Sequence, residues 1–228
     1  NWPELPLGTF GVNSGPMMAA VDEFDITVKG KGGHAASPHL AIDPVVISAQ
    51  VISAVQTIIS RSTDPVDKAL ISITKINAGT AYNVIDDQVK MGGTIRTFRR
   101  ETRAYIEKRL NELCKGIADA HGAEIKIDFD LVNKYPPTIN SKEETKFAAN
   151  VAKDLVGDDK VITDIDPSMG GEDFSYLLEK KPGSYLYLGQ GDAEHSAHLH
   201  TTKYDFNDNL LPIGVNFWVD LVQKYFSK

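Results

Sequence analysis

An alternation of strand and helix patterns between residues 21 and 132 most constrains what this chain can fold into. Phe24, Ile26 and Val28 alternate with polar residues, which is the period of a half-buried strand. Further patterns follow in the order helix, strand, strand, helix, strand, at residues 43–61, 69–73, 89–95, 102–121 and 125–131. The order β-α-β-β-α-β predicts a ferredoxin-like domain, in which two helices cover one face of an antiparallel sheet.

Local signals predict where the two helices of this domain begin and end. Asp43 stands directly before Pro44, so Asp43 is expected to cap the first helix and Pro44 to occupy its first turn. Residues 102–121 repeat apolar side chains at helical spacing, and Gly122 is placed to end that helix.

The remaining residues, 1–20 and 133–228, are predicted to form a separate α/β layer. Residues 133–137 read Asn-Lys-Tyr-Pro-Pro and break the pattern, so they mark a domain boundary, while residues 1–20 show no clear period. Beyond the boundary, helix patterns near 143–156, from 172 and near 211–225 alternate with strand patterns at 161–163 and 184–188. This layer has too few strands to be a complete doubly wound domain.

Composition argues against several kinds of partner and site. The chain has 24 Lys and Arg against 31 Asp and Glu, a net charge of −7, which disfavours nucleic acids and anionic membranes as partners. Because no run approaches about 18 consecutive apolar residues, no membrane-spanning segment is expected. Cys114 is the only cysteine, which excludes an internal disulfide and a Cys-rich zinc cluster. A reducing, cytoplasmic location is the expectation.

Three histidines, His195, His198 and His200, lie close together after a glycine turn. In an extended chain, residues two apart face the same side, so His198 and His200 could both face one metal ion. A catalytic zinc needs a third protein ligand, and no His-Glu-x-x-His motif supplies one. A solvated polar loop explains the cluster at least as well.

Residues on loops and strand ends are the other candidates for function. His34 lies on a glycine-rich loop, where it could act in catalysis or simply contact water. Asn83 could donate a hydrogen bond to an oxyanion or only form a turn. Arg96 ends a strand pattern and could bind a carboxylate, although an isolated Arg is more often a surface residue.

Several other chemistries find no support in the sequence. It contains no Gly-x-Ser-x-Gly motif, no phosphate-binding loop signature and no Gly-x-Gly-x-x-Gly after a strand. Cys114 falls on the apolar face of a predicted helix, so a nucleophilic thiol is not expected there.

Taken together, several segments resemble the metal-dependent amidohydrolases of the hippurate hydrolase and aminoacylase group. That group belongs to the metallopeptidase family that includes carboxypeptidase G and succinyl-diaminopimelate desuccinylase. The resemblance extends in order over essentially the whole chain. It is carried by residues 22–36, with Lys-Gly-Gly-His-Ala-Ala at their end, and by residues 56–61, 83–85, 93–97, 168–174 and 204–208.

The resemblance implies a domain organisation and a partner. Residues 21–132 are similar to the ferredoxin-like lid and dimerisation domain, which in this family is inserted in a phosphorylase/hydrolase-like α/β catalytic domain. Residues 1–20 and 133–228 would be only the C-terminal part of that catalytic domain. The implied full enzyme binds two divalent metal ions, zinc or manganese, hydrolyses N-acyl amino acids and forms a homodimer through the lid.

The resemblance also implies roles for individual residues. His200 matches the C-terminal metal-ligand histidine. His34 matches the lid histidine that reaches the partner subunit's active site and polarises the scissile carbonyl. Asn83 and Arg96 match lid positions that bind the carbonyl and the carboxylate of the substrate. Glu172 matches a motif position for which the role of a helix-start residue or of a supporting residue is expected.

Departures from the family pattern are large. In this family the N-terminal part of the catalytic domain supplies a Cys-Gly-His-Asp-like motif and a Glu-Glu pair with the general base, and these are missing here. A further ligand histidine would stand just before Asn1. Asp86 replaces the proline that usually follows Asn83-Val84-Ile85. We therefore expect one metal ligand of about five in residues 1–228, and no hydrolysis by these residues alone.

Two other functions remain open from the sequence. The chain could be a non-catalytic dimerising module that binds small carboxylates near Arg96, with an edge strand of the lid pairing with another chain. It could also be a metal-buffering protein that uses His195, His198 and His200, which would then bind zinc tightly without further residues.

Overall fold

The computed structural model describes residues 1–129 and 134–227, which form two units. The central unit contains residues 19–137 and 169–171, and the terminal unit contains residues 1–18, 138–168 and 172–228. The sequence placed the boundaries near residues 20 and 133. Part of the predicted fourth strand, and Asn133 at the predicted boundary, lie outside the described residues.

Helices and strands are mixed along the chain, and one or more strands lie between successive α-helices. The helices are α1 (Pro44–Thr57), α2 (Arg100–His121), α3 (Lys142–Val156), α4 (Ser175–Leu178) and α5 (Leu210–Phe226), with single turns at Pro38–Leu40 and Asp158–Lys160. The strands are β1 (Trp2–Pro6), β2 (Phe10–Gly11), β3 (Gly15–Met18), β4 (Ala20–Lys29), β5 (Gly33–His34), β6 (Ala69–Asn77), β7 (Val84–Ile85), β8 (Gln88–Thr97), β9 (Glu124–Asp128), β10 (Lys134–Tyr135), β11 (Thr138–Asn140), β12 (Val161–Ile162) and β13 (Tyr187–Gly191).

The central unit is built on an antiparallel sheet with the strand order β9-β4-β8-β6, and β10 pairs with the start of β4. Counting its four long strands along the chain, this order is 4-1-3-2, and α1 and α2 follow the first and third strands. Phe24, Ile26 and Val28 alternate into the core as the sequence predicted. They pack there with the apolar faces of both helices, including Val51 and Leu110.

The helix ends agree with the sequence signals. The Asp43 side chain accepts hydrogen bonds from the backbone N–H of Val45 (2.8 Å) and Val46 (3.4 Å), which caps α1. Gly122 adopts a φ of 65° and ends α2, a conformation that glycine reaches without steric cost.

The helical segment Pro44–Ser62 continues α1 through a π turn. By length and composition it is apolar enough to cross a membrane, which is weak evidence because a core helix passes the same test. One of its faces, including Ile47 and Val55, belongs to the core of the central unit. The expectation that the chain has no membrane-spanning segment stays a prediction.

The terminal unit has a mixed sheet with the order β1-β13-β2-β12. β13 runs parallel to β1 and antiparallel to β2, and β2 runs parallel to β12. α3 and α5 pack on it, and their side chains meet Phe10 and Val12 in a second core. The expected α/β layer is therefore present.

Residues 1–20, which show no clear period in the sequence, contain the short strands β1, β2 and β3. Two sequence expectations for the terminal unit were wrong in detail. The strand expected at 184–188 lies at Tyr187–Gly191. The helix expected from Glu172 begins at Ser175, because the Glu172 side chain accepts the backbone N–H of Phe174 (3.3 Å) and so precedes the helix.

Candidate functional site

The structure brings His34 and Asn83 together on neighbouring segments of the central unit. The short strands β5 and β7 pair so that His34 lies opposite Val84. The next backbone N–H, that of Ala35, donates to the carbonyl oxygen of Asn83 at 3.0 Å. Both side chains are exposed. The two residues therefore lie on adjacent, exposed segments of the central unit.

One hydrogen bond selects the tautomer of His34. The backbone N–H of Ala36 donates to His34 Nδ1 at 3.0 Å, so Nδ1 acts as an acceptor. A neutral imidazole then carries its proton on Nε2, which is left as a donor. The His34 side chain is thus prepared to donate a hydrogen bond to an oxygen atom of a ligand.

Arg96 lies next to the last residue of β8 and is half-buried. Its guanidinium donates to the carbonyl oxygen of Ile95 (3.1 Å) and to the Thr94 hydroxyl. Burial lowers the pKa of Arg96, while the nearby carboxylates of Glu23 and Asp22 raise it. A guanidinium remains protonated under such shifts, so Arg96 keeps its charge and N–H donors for a carboxylate.

Within one chain, Arg96 is far from the pair His34 and Asn83. Arg96 lies opposite Val21, near the start of β4, whereas the His34 loop follows Lys29 at the other end of that strand. The strand between residues 21 and 29 is roughly 26 Å long at the usual rise per residue. One small ligand therefore cannot contact all three residues of the same chain.

His200 lies in the terminal unit on a turn of unusual backbone conformation. It has a φ of 62°, and it is the one residue other than glycine with a positive φ among residues 1–129 and 134–227. Such conformations cost about 1 kcal/mol or more and are concentrated at functional sites. The imidazole is exposed.

The segment that carries the three neighbouring histidines is not an extended strand. Leu199 and His200 form a turn, so the extended geometry that would let His198 and His200 face one metal ion is absent. His198 Nδ1 lies 3.1 Å from Glu4 Oε1, and His195 Nδ1 lies 2.8 Å from Asp192 Oδ1. Each of these two imidazoles has its own carboxylate partner.

The part of the chain that the structure describes does not contain a complete metal site. In residues 1–129 and 134–227, no group of three or more His, Cys, Asp and Glu side chains is arranged to hold an ion. A catalytic zinc needs three protein ligands, so His200 would need ligands from elsewhere. The metal-buffering function finds no geometric support in the described residues.

Sequence reasoning missed a buried amide that holds the histidine loop. Gln190, at the end of β13, is 0% exposed. Its side chain accepts from the Tyr204 hydroxyl (3.2 Å) and donates to the carbonyl oxygen of Asp205 (3.1 Å). Asn207 donates to the carbonyl oxygen of Gln190 (3.0 Å) and to Asp192 Oδ2 (2.8 Å). These neutral groups carry no titration signal, so only the Tyr204–Asp208 motif could have indicated them.

The contact between Asp192 and His195 also holds the histidine loop. The pKa of Asp192 is lowered to about 2 by its bond to His195 and then by the backbone N–H groups of Glu194 and His195. The same pair raises the pKa of His195. Asp192 thus favours the protonated form of His195 and holds its imidazole in place.

Glu172 has the supporting role that was expected. The Tyr185 hydroxyl donates to Glu172 Oε2 at 2.8 Å. Burial, and then this bond, raise the pKa of Tyr185, so the hydroxyl stays protonated and keeps donating. The carboxylate links the residues before α4 to the segment that leads into β13.

Cys114 is buried in α2, and burial raises its pKa to about 11, so it is no nucleophile.

Comparisons with known proteins agree on one family. Residues 3–224 match the model of peptidase family M20/M25/M40. The N-acetylcysteine deacetylase of Bacillus subtilis is 36% identical over 97% of this chain and 56% of its own length. The hippurate hydrolase of Campylobacter jejuni is 37% identical over 99% of this chain and 58% of its own length.

A solved structure gives the same result for the fold. The Bacillus subtilis YxeP protein, described as a dinuclear metal-binding peptidase of the M20 family, superposes with a TM-score of 0.78 at 32% identity. The match covers 97% of this chain and 54% of that protein. The chain therefore spans about half the length of the relatives it matches.

Proposed function

Because the chain belongs to peptidase family M20/M25/M40, we propose that it is part of a metal-dependent amidohydrolase that cleaves the amide bond of N-acyl amino acids. The observation that carries this proposal is the backbone pairing that brings the segments of His34 and Asn83 together at the surface of the central unit. The relatives named N-acetylcysteine deacetylase and hippurate hydrolase support the substrate class.

His34 and Asn83 stabilise the oxyanion in this proposal. When water adds to the amide carbon, negative charge develops on the carbonyl oxygen. His34 Nε2–H and the side-chain amide of Asn83 donate to that oxygen. Donors already in place need no reorganisation during the reaction, and the loss of one commonly lowers kcat by about 10²–10³-fold.

Arg96 binds the carboxylate of the amino acid. In an N-acyl amino acid, the amide nitrogen and the carboxylate are attached to the same carbon atom, so the two groups must be recognised close together. Since roughly 26 Å of strand separates Arg96 from the His34 loop in one chain, the three residues can serve one substrate only if two chains contribute.

A homodimer through the central unit satisfies this requirement. β6 is at the edge of the central sheet, and an edge strand presents unpaired backbone groups to a second chain. We propose that His34 and Asn83 of one subunit and Arg96 of the other contact the same substrate.

Two divalent metal ions, zinc or manganese, complete the proposed enzyme. When bound, they lower the pKa of a water molecule so that it can attack the amide. His200 is the residue proposed to bind metal from this chain. The described residues do not provide the other ligands. For this reason residues 1–228 alone are proposed to be inactive.

The test is an assay of the full-length protein, loaded with zinc or manganese, on hippurate and N-acetyl amino acids. Turnover that a chelator abolishes and added metal restores supports the proposal. Each substrate is compared with its carboxamide analogue, which has lost the negative charge. A preference for the free acid that disappears in Arg96→Ala, and is only partly retained in Arg96→Lys, identifies the carboxylate contact.

Two outcomes would overturn this function. Binding of N-acyl amino acids without turnover by the metal-loaded protein would favour the non-catalytic carboxylate-binding module instead. Turnover by residues 1–228 alone would contradict the incomplete metal site.

A further inference from the structure

The loop that carries Asn83 is closed at its ends by two side chains. The Thr80 hydroxyl donates to Asp86 Oδ1 at 3.0 Å. Asn83 lies midway between them, and within the loop the backbone N–H of Val84 donates to the carbonyl oxygen of Ala81 at 3.4 Å. The hydrogen bond between Thr80 and Asp86 therefore sets the width of the loop.

The next residue, Asp87, ties this loop to the segment that precedes His34. Its Oδ1 accepts the backbone N–H of Gly32 at 2.8 Å, and its carbonyl oxygen accepts the backbone N–H of Gly30 at 2.9 Å. A Cβ atom on Gly32 would come within 2.9 Å of Asp87 Oδ1 and 2.8 Å of the Ile85 carbonyl oxygen. The approach is close enough that only glycine fits at residue 32.

Few other contacts hold the two segments. β5 and β7 have two residues each. Tyr82, Asn83 and Val84 are exposed, so little apolar burial fixes the loop. With so short a ladder and so little packing, the side-chain hydrogen bonds of Asp86 and Asp87 add to the few backbone bonds that position Asn83 relative to His34.

We propose that Asp86 and Asp87 are positioning residues: Asp86 holds the Asn83 loop closed, and Asp87 joins it to the His34 segment. Neither carboxylate touches the substrate in this account. The inference rests on the proposed function, in which His34 and Asn83 donate to one oxyanion. A displacement of about 1 Å between two such donors can lower a rate by up to about 10²-fold.

The first test does not depend on activity and uses residues 1–228. Amide hydrogen exchange is followed by NMR for Gly32 and for Ala35, whose N–H bonds to Asn83. In Asp87→Ala, exchange at both amides should quicken about tenfold or more, because the two segments separate. In Asp87→Asn, the side-chain oxygen still accepts, and exchange should stay close to that of the unchanged protein.

Asp64→Ala is the matched control. Asp64 also accepts a loop backbone N–H, that of Val66 at 3.1 Å, but it lies in a different loop. The Asp64→Ala variant should leave amide hydrogen exchange at Ala35 unchanged. If Asp87→Ala also leaves Ala35 unchanged, Asp87 does not join the segments and the inference is wrong.

Thr80→Val and Asp86→Ala test the other contact. Each removes one partner of the same hydrogen bond, so each should quicken Ala35 exchange severalfold, and the double variant should resemble the single ones. Additive effects of the two substitutions would show that Asp86 does not act through Thr80.

The second test uses the full-length, metal-loaded enzyme. Asp87→Ala should lower kcat about tenfold with little change in KM, and Asp87→Asn should restore most of the loss. In a His34→Ala background, Asp87→Ala should lower kcat no further. An equal loss in both backgrounds would contradict positioning through His34. If the enzyme turns over no N-acyl amino acid, the proposed function fails, and the exchange of Ala35 still decides whether Asp87 joins the segments.

Discussion

The two units of this chain bury their apolar side chains to different extents. In the central unit, β4 and β8 have 10 residues each, and α1 and α2 both turn an apolar face to the sheet. In the terminal unit, the four strands of the mixed sheet have two to five residues. α5 packs Phe217 into the core but leaves a row of apolar side chains exposed: Leu211, Val215, Trp218, Val219, Val222, Tyr225 and Phe226.

The two units also differ in how they hold their candidate functional residues. A helix that is apolar on all sides is usually buried on all sides, and α5 is not. The central unit has a closed core, and His34 and Asn83 are held on loops at its surface by local hydrogen bonds. The terminal unit holds the loop of His200 through Gln190, Asn207 and paired charges.

The largest expected effect comes from a substitution in the central core. Phe24 is 0% exposed, and Phe24→Ala should lower the free energy of unfolding by about 4 kcal/mol, because it removes buried contacts and leaves a cavity. Trp218 is 63% exposed, and Trp218→Ala should change the free energy of unfolding by about 0.5 kcal/mol or less. Urea unfolding of both variants checks the contrast. Equal losses would show that the outer face of α5 is as well packed as the central core.

Cys114 gives a probe for the central unit alone, since it is the only cysteine. Burial raises its pKa to about 11, so its thiolate fraction near neutral pH is lower by about 10²-fold than that of an exposed thiol. Labelling by a disulfide reagent should be at least that much slower in the folded protein than in guanidinium chloride. Rapid labelling of the folded protein would mean that the central core opens readily. Trp2 and Trp218 both lie in the terminal unit, so tryptophan fluorescence reports the other half of the comparison.

The smallest expected effect is a pH dependence of the terminal unit. Because the pKa of His195 is raised in the folded loop, protonation of His195 contributes to the stability of that loop at low pH. This contribution is lost as pH rises through the raised pKa. The pKa of Asp192 is lowered to about 2, so the ionised carboxylate contributes fully to the stability of the loop when pH is above the pKa of Asp192 in the unfolded chain. This contribution is lost as pH falls towards 2. Both contributions are complete only between about pH 4 and pH 6.5.

An NMR titration of the His195 imidazole checks this account. Asp192→Asn should lower the pKa of His195 towards 6.5. Asp205→Asn is the control, because Asp205 Oδ2 is 3.9 Å from His195 Nε2, and its removal should shift the pKa less. An unchanged pKa in Asp192→Asn would mean that the ion pair does not hold the loop.

Sequence patterns predicted the central unit well because its elements are long. The strand residues around Phe24 repeat with a clear period. Asp43 caps the start of α1 and Gly122 ends α2, as the sequence predicted. β1 could not be predicted in this way, since it has five residues and pairs with β13 near the other end of the chain. Short strands depend on distant partners rather than on their own sequence.

The site was predictable only in part. His34, Asn83, Arg96 and His200 came from the resemblance to a family, and their roles stay predictions. The pairing of His34 with Asn83 depends on two exposed loops that meet through backbone hydrogen bonds, which leave no period in the sequence. The same limit explains why Asp87 was not singled out.

The most direct test compares His34→Ala with His200→Ala in the full-length enzyme, measuring kcat and bound metal per chain. The account predicts that His34→Ala lowers kcat by about 10²-fold or more and leaves the metal content unchanged, because His34 acts only on the substrate oxygen. His200→Ala should lower the metal content as well as the activity. Loss of metal in His34→Ala, or full activity in that variant, would contradict the assignment of substrate contacts to the central unit and metal binding to the terminal unit.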